Sequence, residues 1–161
     1  MIKLRFSIFN FVILPVLLLG VVGCANAGAM QRLAPTPKAT QVELAMAPNS
    51  TLPGFVHDAE PKVKEAYRFA IANPEVLTKI PCYCGCGTMG HRHTLDCYLK
   101  ETRADGSIEF DNHAAGCMIC VDITQDVMRL MRQGQDLRSI RTYVDAEYSK
   151  YAAPTNTLPI Q

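Results

Sequence analysis

The distribution of apolar positions divides the chain into four stretches. Residues 6–22 are apolar almost without interruption, broken only by Ser7 and Asn10. From Ala25 to about Pro53 no apolar period is sustained, and Pro35, Pro37, Pro48 and Pro53 punctuate a run of small polar residues, the composition of a linker. Between 58 and 73 the residues Val63, Ala66, Tyr67, Ala70 and Ile71 recur at helical spacing, with Asp58 or Glu60 at the start and Pro61 suited to the first turn. Pro74 breaks this helix, and 74–80 is expected to form another turn or two. The fourth stretch predicts two helices. Over 117–133, Cys120, Ile123, Val127, Leu130 and Met131 share one face, while Asp122, Gln125, Asp126, Arg129 and Arg132 lie largely off it. Gly134 ends that helix and Asp136 caps the next, along which Leu137, Ile140, Val144 and Tyr148 recur. So short a connection requires the two helices to pack as a hairpin.

Between these periodic stretches the pattern changes character. Pro81 to Gly90, with Gly85, Gly87 and Gly90, is expected to be irregular. Asp105-Gly106 is a turn signal and Ser107 to Phe110 alternates as a short strand would. Thr94 to Lys100 reads either as the partner strand or as a helical turn. The fold class is therefore mainly α: a small helical domain with a cysteine-rich loop packed on a C-terminal helical hairpin, with room for one short β-hairpin. The expected organisation is a signal peptide over 1–23, a lipidated cysteine and proline-containing linker over 24–54, the domain over 55–152, and a tail over 153–161. In the linker Val42, Leu44 and Met46 alternate, so docking as an edge strand is the alternative to a free tether.

The N-terminal stretch follows Lys3 and Arg5 and is slightly short of the roughly 20 apolar residues of a membrane span. It ends in Val21-Val22-Gly23-Cys24, which resembles the lipobox of bacterial lipoproteins: a small residue lets the peptidase reach the backbone, and the thiol of Cys24 carries the lipid. This implies a partner, the membrane, and a location, lipid-anchored on the extracytoplasmic side. Ala25-Asn26-Ala27 offers a rival cut that would release a soluble protein, and an uncleaved anchor helix is the third reading. Lys plus Arg number 16 against 15 Asp plus Glu, with no basic stripe interleaved with aromatics, so a nucleic-acid partner is not expected.

The chemistry-bearing residues are concentrated. If Cys24 is lipidated, six of the seven cysteines remain, Cys82, Cys84, Cys86, Cys97, Cys117 and Cys120, and they share a short window with His91, His93 and His113. Three cysteines at alternate positions in a glycine-punctuated loop can turn several sulfurs to one point. Cys117-x-x-Cys120 straddles a helix start, where free N–H groups favour thiolate. Loop plus helix start is a common way to assemble a thiolate metal site. Zinc would take four of these groups; copper(I) would take two or three thiolates, with Met89 and Met118 as further soft donors. The candidate metal ligands are thus Cys82, Cys84, Cys86, Cys97, Cys117, Cys120, His91 and His93. His113 reads rather as a capping or core residue, His57 as a linker residue, and Met128 and Met131 as core. Two other readings stand beside the metal site: structural disulfides, which exported domains of roughly this size often use, and thiol redox chemistry at Cys117 and Cys120. No residue set suggests a hydrolytic triad or a phosphate loop, and nothing marks Asp96, Glu101 or Asp111 as general bases.

Residues 81–86 read Pro-Cys-Tyr-Cys-Gly-Cys. Together with the histidine-bearing loop, Asp96-Cys97, the Asp105-Gly106 turn and Cys117-x-x-Cys120, they resemble the family of bacterial lipoproteins named for the PCYCGC motif, over roughly Phe55 to Tyr148. That resemblance implies a lipoprotein and supplies little chemistry beyond making metal binding plausible. The C-terminal hairpin is also similar to that of the thiol reductants of cytochrome c maturation, which implies reduction of apocytochrome thiols by a C-x-x-C pair. It departs at Val121, where those reductants carry Gln.

Overall fold

The computed structural model describes residues 41–160. The expected signal peptide, Cys24 and the first part of the expected linker lie outside them. Among the described residues the order is α1 (Pro61–Ala72), α2 (Pro74–Leu77), β1 (Leu99–Thr102), β2 (Ile108–Phe110), α3 (His113–Gly116), α4 (Met118–Arg132) and α5 (Leu137–Tyr148), with two 3-10 turns before α1 and two between α2 and β1. The chain is mainly α with one short antiparallel hairpin, as its pattern predicts. No helix of the described residues is long and apolar enough to cross a membrane.

Helix α4 is central because its apolar stripe is wide enough to serve two neighbours. Its Cys120, Val121, Ile123, Thr124, Val127, Met128 and Leu130 are buried. It packs against α1 on one side, which contributes Val63, Ala66, Tyr67, Phe69 and Ala70, and against α5 on the other, which contributes Ile140, Val144 and Tyr148. Burying a side chain such as Ile123 or Phe69 contributes roughly 1.5–3 kcal/mol, so this three-helix contact is the main store of stability. The turn between α4 and α5 is closed by its own backbone. Gly134, at φ +76°, donates to Met131 O at 2.9 Å, and Gln135 N donates to Leu130 O at 3.1 Å, the paired bonds of a Schellman cap. Asp136 then accepts from Ser139 N at 3.0 Å and starts α5.

The ambiguous stretch resolves into both readings in succession. Thr94–Cys97 is a 3-10 turn, and β1 begins two residues later, pairing with β2 in the register Leu99–Phe110, Glu101–Glu109, Thr102–Ile108. Gly106 N donates to Arg103 O and Ser107 N to Asp105 Oδ1, both at 2.9 Å, which closes the expected turn.

Two segments depart from their expected roles. Residues 42–54, read as the end of a linker, are docked without forming a strand. Val42 N donates to Arg132 O and Ala47 N to Arg68 O, both at 3.1 Å, and Asn73 Nδ2 donates to Ala45 O at 2.9 Å. Ala47 and Leu52 are buried and Leu44 and Met46 pack on the core; their apolar surface covers the end of the α1–α4 contact, which is why the segment stays down. Thr155, in the expected tail, exchanges bonds with Cys82: Cys82 N donates to Thr155 Oγ1 and Thr155 N to Cys82 O, both at 2.9 Å. The C-terminal segment is thereby strapped to the cysteine loop.

Candidate metal centre

Four segments converge on one point. The loop Pro81–Gly90 brings Cys82, Cys84 and Cys86; the turn Thr94–Cys97 brings Cys97; α3 begins at His113; and Cys117 caps α4, whose first turn carries Cys120. Thr94 pins the loop to the turn: its N donates to Ile80 O at 2.8 Å and its hydroxyl to Pro81 O at 3.0 Å. With the Thr155 strap this satisfies the backbone at the loop's base, so Cys82 is held on both sides. Gly85 sits at φ +87°, which a side chain would resist, and lets the chain reverse between Cys84 and Cys86. Residues 86–89, expected to be irregular, form a 3-10 turn, with Thr88 N donating to Gly85 O at 3.3 Å. Glycines on both sides permit the tight i to i+3 bond without extending it.

The sulfurs form a continuous cluster. Cys82 Sγ lies 3.4 Å from Cys84 Sγ and 3.6 Å from Cys120 Sγ; Cys84 and Cys120 are 3.6 Å apart; Cys86 and Cys97 are 3.6 Å apart. All six thiols are free. Three sets of four donors each have ligand atoms within 4.8 Å of one another: Cys82, Cys84, Cys97 and Cys120; Cys84, Cys86, Cys97 and His113; Cys84, His113, Cys117 and Cys120. These groups can hold a metal ion, being soft thiolates and imidazole at the separation one coordination sphere requires. Cys82, Cys86, Cys97 and Cys120 are buried, whereas Cys84, Cys117 and His113 are half-buried and form the open side.

The histidines divide. His113, read from the sequence as a cap or core residue, points Nε2 at Cys84 Sγ from 3.2 Å and belongs to two of the donor sets. His91 places Nδ1 3.4 Å from Cys97 Sγ but joins none of the three sets. His93 turns to Asp96: its Nδ1 lies 3.3 Å from Asp96 Oδ1, out of line for a hydrogen bond, so that buried nitrogen has no partner, and burial lowers its pKa. His57 joins no set; its Nε2 contacts Leu52 O at 3.1 Å. Met89 and Met118 are exposed, while Met128 is buried and Met131 packs on the core.

Asp111 is the residue the sequence reading passed over. It is buried, its Oδ1 accepts from His113 N at 2.7 Å, and its Oδ2 faces His91 Nε2 at 3.9 Å. One carboxylate thus accepts from the His113 backbone N–H and faces the His91 ring, fixing the start of α3 from which the His113 imidazole reaches Cys84. Behind it, Tyr67 donates to Asp111 O at 2.8 Å and Tyr98 donates to Cys120 O at 2.9 Å, with the two rings edge to face at 4.9 Å. The only sequence signal for Asp111 was an acidic residue two positions before a histidine.

Proton sharing among the thiols is uneven. The hydrogen bond with Cys120 brings the Cys82 thiol down to about 4, and contact with Cys117, then Cys120, holds Cys84 well below the ordinary thiol range. Cys86 is pushed up, chiefly by Cys82; Cys97 chiefly by Cys120; Cys120 chiefly by Cys117. Thiolate character therefore falls on Cys82 and Cys84, and the Cys120 thiol at the start of α4 donates to Cys84 Sγ.

The groove between the loop and the C-terminal segment is lined by Gly85, Thr88, His91, Arg92, Pro154 and Asn156 among others, so His91 reaches its wall.

The family model described as "Protein of unknown function with PCYCGC motif" matches residues 13–160. No curated protein and no solved structure shows a significant match to the chain. A kinship with the thiol reductants of cytochrome c maturation therefore has no support beyond the similarity of the hairpin.

Proposed function

Because the chain belongs to the family of PCYCGC-motif proteins, whose description assigns no function, we propose from the donor geometry that it is an exported, lipid-anchored protein that binds copper or zinc through its cysteine and histidine centre. The observation that carries this reading is the convergence of six thiols and His113 in sets of four donors within 4.8 Å. Cys82, Cys84, Cys97 and Cys120 make an all-sulfur set suited to a closed site. The sets that include His113 suit a mixed one. A bound soft ion would supply the cross-link that a glycine-rich loop of this size lacks, and Asp111 would keep His91 and His113 in place. The anchor rests on Val21-Val22-Gly23-Cys24, and it would hold the centre outside the cytoplasmic membrane face.

The test is intact mass and metal analysis on the full chain, extracted from membranes and purified without oxygen. Bound copper or zinc, with free thiols recovered when the metal is removed, is the expected result. A metal-free chain lighter by the hydrogens of its six paired thiols would overturn the metal reading in favour of a disulfide-held domain. For the anchor, Cys24→Ala should move the protein out of the membrane fraction; unchanged membrane retention would overturn that part.

A further inference from the structure

The three donor sets are not independent. Cys84 belongs to all of them, Cys97 and Cys120 to two each, and His113 to two. Their union is seven donors, the six cysteines and His113. Ions seated in any two of these sets therefore share at least Cys84. Thiolate sulfur has the lone pairs to bind two ions at once, whereas an imidazole nitrogen has one, so sharing falls on cysteine. Cys84 is placed for it: its Sγ lies 3.4 Å from Cys82 Sγ, 3.6 Å from Cys120 Sγ and 3.2 Å from His113 Nε2.

A single ion leaves this cluster poorly used. Whichever set it occupied, at least two of the six thiols would remain unbound, and at least one of them lies in sulfur contact at 3.4–3.6 Å with a bound neighbour. Soft cations that accept two or three thiolates and tolerate bridging, as copper(I) does, convert those contacts into ligand bonds, each thiol passing its proton to solvent as its metal–sulfur bond forms. The burial gradient gives the filling an order. The set of Cys84, His113, Cys117 and Cys120 opens to solvent, while three members of the Cys82, Cys84, Cys97 and Cys120 set are buried, and the two share Cys84 and Cys120.

From this geometry we infer that the centre is polynuclear, holding two or more soft d10 ions bridged by the Cys84 thiolate. The inference rests on the metal-binding reading and is separable from it by counting ions. The full chain, reduced and anaerobic in detergent, is titrated with copper(I) against a competing chelator, and bound ions are counted by native mass spectrometry. Two or more per chain is expected, with a metal–metal scattering shell in the X-ray absorption of the loaded wild-type protein. Cys84→Ser should lower the count by at least one and remove that shell. Cys117→Ser, at a position also half-buried but belonging to one set only, should retain the shell. One ion per chain, or two without the shell, overturns the bridged centre and leaves metal binding standing; no ion overturns both. The wild-type scattering measurement keeps the inference testable if Cys84→Ser fails to fold.

Discussion

The α4–α5 hairpin and the Pro81–Gly90 loop, though joined through Cys120, are held by different forces. The hairpin is held by repetition: apolar residues return every three or four positions, and the turn between the helices closes with bonds among Leu130, Met131, Gly134, Gln135, Asp136 and Ser139, all near in sequence. The loop has no period. Its base is fixed by Thr94 and by Thr155, the latter 73 positions from Cys82, and its interior consists of sulfur contacts with segments up to 38 positions away. The hairpin would keep its form with any similar apolar stripe. The loop depends on particular partners, and a cross-linking ion would strengthen it where packing cannot.

This contrast can be broken at its strong end first. Ile123→Ala removes a fully buried side chain from the centre of α4 and is expected to cost about 2–5 kcal/mol, read from urea unfolding followed by circular dichroism. A loss well under 1 kcal/mol would show that the three-helix contact is not the main source of stability. Asp111→Ala tests the other side. Alanine removes the acceptor of the His113 backbone N–H, which fixes a donor of two of the three sets, so metal affinity should fall about tenfold, a lost hydrogen bond to a charged group being worth about 1.5 kcal/mol. Equal affinity in a competition titration would mean that His91 and His113 are held without it.

Smaller changes sharpen the comparison. Gly134→Ala places a side chain at φ +76°, and should destabilise the hairpin by about 1–2 kcal/mol while leaving metal stoichiometry unchanged; a lowered stoichiometry would couple the two regions more tightly than the structure implies. Thr155→Val removes the hydroxyl that Cys82 N donates to, with an expected loss of about 1 kcal/mol. Hydrogen exchange should locate the effect: faster exchange at Cys82 and its loop, unchanged exchange in α5. Uniform acceleration through both regions would dissolve the distinction.

Much of the helical frame was legible from spacing. Pro61 in the first turn, the stripe from Cys120 to Leu130, Gly134 as a stop and Asp136 as a cap are features whose consequences stay within a turn or two of the residue itself. The β-hairpin was half legible, since Asp105-Gly106 marks its turn, while the partner strand was obscured by the 3-10 turn immediately before it. Docking of residues 42–54 was legible only as an alternative, from the alternation of Val42, Leu44 and Met46, which does not reveal the surface that receives them or that they dock without forming a strand. At the centre, the concentration of cysteines named the right neighbourhood. It did not separate His113, which faces Cys84, from His93, which faces Asp96: both are histidines close to cysteines in the chain, and only the directions of their side chains distinguish them.

The sequence by itself determined where the long helices α1, α4 and α5 lie, that a single loop would carry clustered thiols, and which family the chain belongs to, because these follow from local propensity, periodicity and a short motif. Tertiary structure alone decided that Cys84 is the common member of every donor set, that Asp111 stands behind two histidines, and that Thr155 straps the loop. Each of these depends on where segments far apart in the chain meet, which is set by packing and is not written at any one position.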